Sequence, residues 1–395
     1  MFRKIIFHLI SIAIILVTTA ITLPPMLGGG LPSYEKSVFH NATIAYYVET
    51  AMLMNRSGWW TSSWCCGFQD LIRFYPPLGN TILYIILYLT GSIEVATGLG
   101  MFIALCILVF GVVLIGRELG GSPLASLLLL TSIIALNPWV STISVYWEYT
   151  RILGDGFGLI SIAFLDRGLR YKGGRDILLS SIFASLALLT SLITFSWLLI
   201  AVITVYLYRT WEISKTNLPE SLIYVFKLGV YWLTSFIMLT AWWLIPAIMP
   251  WGLSHYLSTG AGFGEKINIL MHMLNPLPPP WTITPPLLII MVVIVIMIFT
   301  KRIGLAGWVS LFISLMVFLH PQGLRLIPVF LLFLLTSSAE SLISLNLKKR
   351  HWLTLILTSL LAISIATYTL HYYPIYLSSL SRDYTYISSD EYKVA

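Results

Sequence analysis

A chain of 395 residues that is 58% hydrophobic and 10% charged, with a mean hydropathy of +0.88, is excluded from the water-soluble domains, in which about 25% of residues carry charge. The net charge of +7 has no clustered basic face behind it, so a nucleic-acid partner is not expected. The composition reads as an all-α integral membrane protein.

The first apolar run, Ile5–Leu23, follows Arg3 and Lys4 and is long enough to span a bilayer. Leu23-Pro24-Pro25-Met26 is a poor cleavage site, so the run reads as a retained signal-anchor helix. Next comes a polar, aromatic stretch, Leu31–Tyr75, within a first outer loop of residues 24–94. It places Glu35, His40, Glu49, Trp59, Trp60, Trp64, Asp70 and Arg73 on one side of the membrane and ends in Tyr75-Pro76-Pro77-Leu78-Gly79. The tryptophans suit a headgroup belt or a stacked sugar ring. The sequons at Asn41 and Asn55 are weak signals. Adjacent Cys65 and Cys66 read as local packing or a strained vicinal disulfide, and Cys106 reads as packing. The short apolar segment Leu78–Leu89 is expected to be interfacial or re-entrant rather than spanning.

Further spans are expected at Val95–Ile115, Leu124–Val140, Ile152–Leu165, Ile177–Leu189, Leu192–Leu207, Ile223–Ile248, Pro286–Phe299, Leu305–Leu319, Leu324–Ile343 and Trp352–Leu370, for about eleven in all. Ile177–Leu207 is the hard case, too long for one upright helix and short for two, so Leu189-Thr190-Ser191-Leu192 must turn tightly. Two spans there, with the N-terminus inside, put Arg117, Arg167, Arg170, Lys172, Arg175, Arg209, Lys215, Lys301, Arg302 and Lys348-Lys349-Arg350 in the cytoplasm. One span would export the later ones, against the positive-inside rule. The expected organisation is one polytopic domain, 1–371, with a polar tail, 372–395, outside. Trp211–Ser221 with Pro219 is a hinge candidate between six spans and five.

Ionisable groups at the edge of an apolar helix are costly and usually face protein or a cavity. Glu148 and Asp155 flank Arg151 after the third span, and Arg325 opens the tenth beside His320-Pro321-Gln322. His272 lies in the outer loop Pro250–Thr284 with Glu265 and Lys266. The plainer readings are an Arg151–Asp155 pair four apart on one face and a snorkelling Arg325. No Walker or dinucleotide glycine pattern appears, so no nucleotide cofactor is implied.

The signal-anchor helix, the long outer loop with an early acid, Tyr-Pro-Pro-Leu-Gly, Gly116-Arg-Glu-Leu and Asn137-Pro138 together resemble the GT-C superfamily of membrane glycosyltransferases. The resemblance is nearest to the 6-pyruvoyl-tetrahydropterin-synthase-related, YfhO-like membrane proteins. Leu188-Leu-Thr-Ser191 stands where those proteins tend to show Leu-Thr-His-Pro, and His320-Pro-Gln-Gly-Leu-Arg325 where an Arg enters a late helix. The resemblance implies transfer of a sugar from a polyprenyl-phosphate donor to a glycan or protein acceptor at the outer face of the cell membrane. Glu35 would then be the general base, with His40 and Asp155 as catalytic partners. Glu148, Arg151, Arg325, His272, Tyr75 and Asp70 would bind substrates, and Asp155 or Glu148 would position the acceptor or hold a divalent cation.

The family pattern of an Asp four residues before a His is broken here, because Lys36 stands before His40 and the nearest acid is Glu35. Ser388–Ala395 resembles the lead-in to an extracytoplasmic domain, so a separate soluble subunit is an expected partner. The rival reading is a non-catalytic subunit or scaffold of an envelope glycan-assembly complex. A transporter would show paired inverted segments, and none is evident.

Overall fold

A computed structural model describes residues 60–61, 68–69, 76–91, 93–121, 149–216, 219–248, 303–319 and 326–343. In the polar loop, β1 (Trp60–Thr61) pairs antiparallel with β2 (Phe68–Gln69), Trp60 opposite Gln69. Every other regular element described is a helix.

Helix α1 (Pro77–Thr90) starts where Pro76-Pro77 place residues without N–H groups, at positions where a helix leaves such groups unbonded anyway. It stops at Gly91, whose φ of 67° is left-handed and whose N–H closes on the Leu87 carbonyl at 2.8 Å. Leu83 and Ile86 are buried while Ile85, Tyr88 and Leu89 are exposed. Fourteen residues rise about 21 Å, short of a bilayer core of about 30 Å. The short helix expected over Leu78–Leu89 is present.

Helix α2 (Ile93–Glu118) buries Met101, Ala104, Leu105, Leu108, Val112 and Ile115, the three-and-four spacing of one helical stripe. Helix α3 (Tyr149–Tyr171) is the centre of the bundle, packed by α1, α2, α4 (Gly174–Leu188) and α5 (Leu192–Thr216). Its residues from Arg151 to Ala163 are all buried. Three glycines in Gly154-Asp-Gly-Phe-Gly158 make that crowding feasible. A Cβ at Gly156 would come 2.7 Å from the backbone N of Leu108 on α2. On the opposite side, Cβ atoms at Gly154 and Gly158 would meet Thr194 Oγ1 at 2.9 Å and the Trp197 ring at 2.8 Å. Small residues four apart let helices approach closely in lipid.

The turn demanded between the fourth and fifth expected helices is present. Helix α4 ends at Leu188, α5 begins at Leu192, and Ser191 Oγ accepts the Thr194 N–H at 3.3 Å as an N-cap. Downstream, within the linker expected over Trp211–Ser221, α5 continues to Thr216 and α6 (Pro219–Ile248) starts three residues later. Trp211–Lys215 is therefore helical. The spacing explains it: Arg209 pairs with Glu212 three residues on, and Lys215 Nζ sits 3.4 Å from the Trp211 ring centroid four residues back. Helix α6 packs on α4 and α5, with Trp232 Nε1 donating to Ser180 Oγ at 3.0 Å and Ser161 Oγ to the Ser180 carbonyl at 2.8 Å. Helices α7 (Leu305–Leu319) and α8 (Ile327–Ile343) pair with each other, and α7 leans on α5.

Among the described residues, three helical stretches are long and apolar enough to cross a membrane, namely Leu99–Glu118, Leu192–Lys215 and Leu222–Ile245. Helix α3 has the length, with 23 residues, but it carries Arg151, Asp155, Asp166, Arg167 and Arg170. Arg151, Asp155 and Asp166 are buried within protein, while Arg167 and Arg170 near the helix end are partly exposed. The expected spans Ile5–Leu23, Leu124–Val140, Pro286–Phe299 and Trp352–Leu370 lie outside the described residues.

At the Glu118 end of the bundle these charges form a network. Asp166, fully buried, takes Arg209 Nε at 2.6 Å and faces Arg170 at 2.6 Å. Arg170 also reaches Glu118 at 3.1 Å, and Arg167 grips Asp176 through two bonds of 2.9 and 2.5 Å. That bond pushes the Arg167 guanidinium further above its already high value, so it stays charged. The network ties α2, α3, α4 and α5 together.

Candidate active site at the Asp155 end

At the other end of α3 the starts of three helices converge. The Leu78 N–H of α1 donates to the Leu189 carbonyl in the α4–α5 turn at 2.8 Å. Gly79 presses so close that a Cβ there would lie 2.7 Å from Thr150 Cγ2 and 3.4 Å from Thr190 Cγ2. The Pro-Pro-Leu-Gly signal thus docks α1 onto the first turn of α3 and the turn before α5. The first turns of helices present partial positive charge from unbonded N–H groups.

One turn in from that junction sits Asp155, 5% exposed. Its Oδ1 accepts Thr194 Oγ1 at 2.8 Å and Trp197 Nε1 at 2.9 Å. Its Oδ2 lies 3.8 Å from Arg151 Nε, and Arg151 is itself 6% exposed. The expected pairing of the two, four apart on one face, is present. A buried carboxylate and guanidinium are tolerable only together, since loss of one partner costs about 3–5 kcal/mol. The two α5 donors fix the carboxylate plane. Tyr149, buried against Gly100 of α2, has a hydroxyl with no hydrogen-bond partner among the described residues.

Arg151 and Asp155 are thus brought together, while Glu35, His40, Asp70, Tyr75, Glu148, His272 and Arg325 lie outside the described residues. Glu148 directly precedes Tyr149 in the chain, and Arg325 directly precedes Leu326. Among the described residues no three His, Cys, Asp or Glu side chains group as a metal site, so a divalent ion here would need ligands such as Glu148 from beyond them. Sequence reasoning used Ser191 only as part of the Leu189–Leu192 turn and passed over Thr194 and Trp197. Ser191-x-x-Thr194 opening an apolar run was a readable N-cap signal. The link from Trp197 to Asp155, 42 residues apart, had no local signal.

No family model matches the chain, and no curated protein matches it in sequence. Its fold is similar to that of the arabinofuranosyltransferase AftD from Mycobacteria, with a TM-score of 0.59 at 12% identity over 91% of this chain and 26% of that one. It is also similar to ArnT from Cupriavidus metallidurans bound to undecaprenyl phosphate, with a TM-score of 0.52 at 13% identity over 96% of this chain and 74% of that one. ArnT in the apo state gives 0.50 at 12% identity, covering 87% of this chain and 61% of that one. The chain thus spans about a quarter of AftD. The likeness is one of fold to these two glycosyltransferase structures, and the long apolar helices are those of a helical membrane protein.

Proposed function

We propose that this protein transfers a sugar from a polyprenyl-phosphate donor to an acceptor at the outer membrane face, through a site built on Arg151 and Asp155. The observation that carries the reading is the buried Arg151–Asp155 pair set beside three converging helix starts, in a fold shared with glycosyltransferases. A departing lipid phosphate develops negative charge, which a desolvated guanidinium and helix N-termini stabilise strongly. Arg151 supplies that cation, and Arg325, next to the start of α8, is a second candidate. Asp155 orients the acceptor together with Glu148. Glu35 takes the acceptor's proton, with His40 near it in the first loop, where Asp70 and Tyr75 also bind substrate; His272 serves from the outer loop Pro250–Thr284 that follows α6. In this reading the Asp155 end is the outer one, the Asp166 network faces the cytoplasm, and the nearer kinship is to the YfhO-like branch. A soluble extracytoplasmic subunit is a partner in the same scheme.

The test is binding of undecaprenyl phosphate to the full chain in nanodiscs. Arg151→Ala should raise Kd at least about tenfold, equal to 1.4 kcal/mol. Arg151→Lys should recover only part, because an ammonium lacks the bidentate fork. No binding by the wild-type chain, or equal affinity in all three proteins, overturns the reading. Binding without sugar transfer in the wild type would identify the protein as a non-catalytic subunit, which the Lys36 departure favours.

A further inference from the structure

Trp197 touches three helices at once. It rises from α5, is fully buried, and donates its indole N–H to Asp155 Oδ1 on α3 at 2.9 Å. Its six-membered ring fills the space that a side chain at Gly158 would need, with Cη2 and Cζ2 both 2.8 Å from a Cβ placed there. The indole also meets Phe333 of α8, itself fully buried, with ring centroids 6.2 Å apart and planes at 61°. That edge-to-face geometry is attractive and directional. A phenylalanine at position 197 would fill most of the same volume, so packing alone does not require an indole. The N–H does, because it has a single task here, which is to hold one carboxylate oxygen.

We propose that Trp197 is a positioning residue that couples the orientation of the Asp155 carboxylate to the seating of α8. Helix α8 is the element that Arg325 precedes. Together with Thr194, Trp197 fixes Oδ1 from the α5 side, leaving Oδ2 turned toward Arg151. Movement of α8 displaces Phe333, then the indole, then the carboxylate. The inference rests on the reading of Asp155 and Arg151 as a substrate site, but its physical core can be measured without any substrate.

Trp197→Phe keeps a ring against Gly158 and Phe333 and deletes the N–H. In the full chain in nanodiscs, the infrared carboxylate band of Asp155, identified by its loss in Asp155→Asn, should shift in Trp197→Phe. It should also shift in Phe333→Leu, which keeps the position apolar and removes the ring contact. Phe333→Leu in the Trp197→Phe background should then move it no further. With undecaprenyl phosphate as probe, Trp197→Phe should raise Kd about threefold or more, and this effect should vanish in the Asp155→Asn background, the signature of residues acting as a unit. An unmoved band in Trp197→Phe, or the same Kd ratio in both backgrounds, reduces Trp197 to core packing and overturns the proposal. An unmoved band in Phe333→Leu overturns the coupling to α8. Shifted bands in a protein that binds no undecaprenyl phosphate leave the positioning role standing and remove the transferase reading instead.

Discussion

Gly156→Ala is the sharpest perturbation of the central packing. A Cβ at this position would lie 2.7 Å from Leu108 N and 2.9 Å from Ile107 C, both backbone atoms of α2 that cannot rotate away. The reciprocal approach is as close, with a Cβ on Gly111 falling 2.8 Å from the Gly156 carbonyl oxygen. To regain ordinary contact, α2 and α3 must part by roughly 0.7 Å, and a gap of that size forfeits about a quarter to a half of each dispersion well along the seam. Overpacking of this kind costs about 1–3 kcal/mol. Helix propensity offsets little, because the helices persist in the unfolded state of a membrane protein. Gly174→Ala is the control, since nothing lies within 4 Å of its Cβ. Gly158→Ala falls between the two, for its obstacle is the Trp197 side chain and not backbone. Unfolding in mixed micelles with rising detergent denaturant, followed by near-ultraviolet circular dichroism, should rank stability as Gly174→Ala, Gly158→Ala, Gly156→Ala from highest to lowest. A Gly156→Ala protein that unfolds with Gly174→Ala would refute backbone-to-backbone packing of α2 on α3.

Asp166→Asn should destabilise the protein by about 3–5 kcal/mol, because Arg209 and Arg170 lose a fully buried counter-charge; the same unfolding assay reads it, and a wild-type midpoint would mean that water screens the cluster. Topology is checked by cysteine labelling, in which a membrane-impermeant reagent applied outside should reach a cysteine placed near Asp70 or Tyr384 but not one near Lys349. Outside labelling at Lys349 would refute the eleven-span topology.

Much of the helical layout was legible because apolar length and charge are local. Leu305–Leu319 matches its helix end for end, and the Leu189–Leu192 turn was demanded by length and by basic loops alone. Boundaries drawn at the last apolar residue fell short wherever a polar turn was held by tertiary partners. Helix α3 runs six residues past Leu165 because Asp166, Arg167 and Arg170 are paired with α5, α4 and α2, and α5 runs on past Leu207 through Arg209 and Glu212. The site followed the same division. Arg151 and Asp155 were visible as a four-residue pair, and the Pro-Pro-Leu-Gly signal as a helix start. The Leu78 bond to Leu189, and the indole of Trp197 on Asp155, join residues more than forty positions apart, and pattern reading along one chain carries no information about such meetings.

The charges of α3 also bear on how the protein is made. A charged residue near the middle of an isolated helix adds about 2.5–3.5 kcal/mol to the free energy of its insertion from the translocon. Helix α3 carries five charged residues, two of them, Asp155 and Asp166, on either side of its midpoint and the others nearer its ends. It is therefore a poor independent entrant into lipid. Arg167 and Asp176 bridge it to α4 across a turn closed by the Gly173 N–H on the Gly168 carbonyl at 3.0 Å. Arg209, which neutralises Asp166, arrives only when α5 has been synthesised. Insertion of α3 is thus tied to the hairpin that follows it, and the ribosome must reach Arg209, 43 residues beyond Asp166, before the helix at the heart of the bundle is electrically at ease in the membrane.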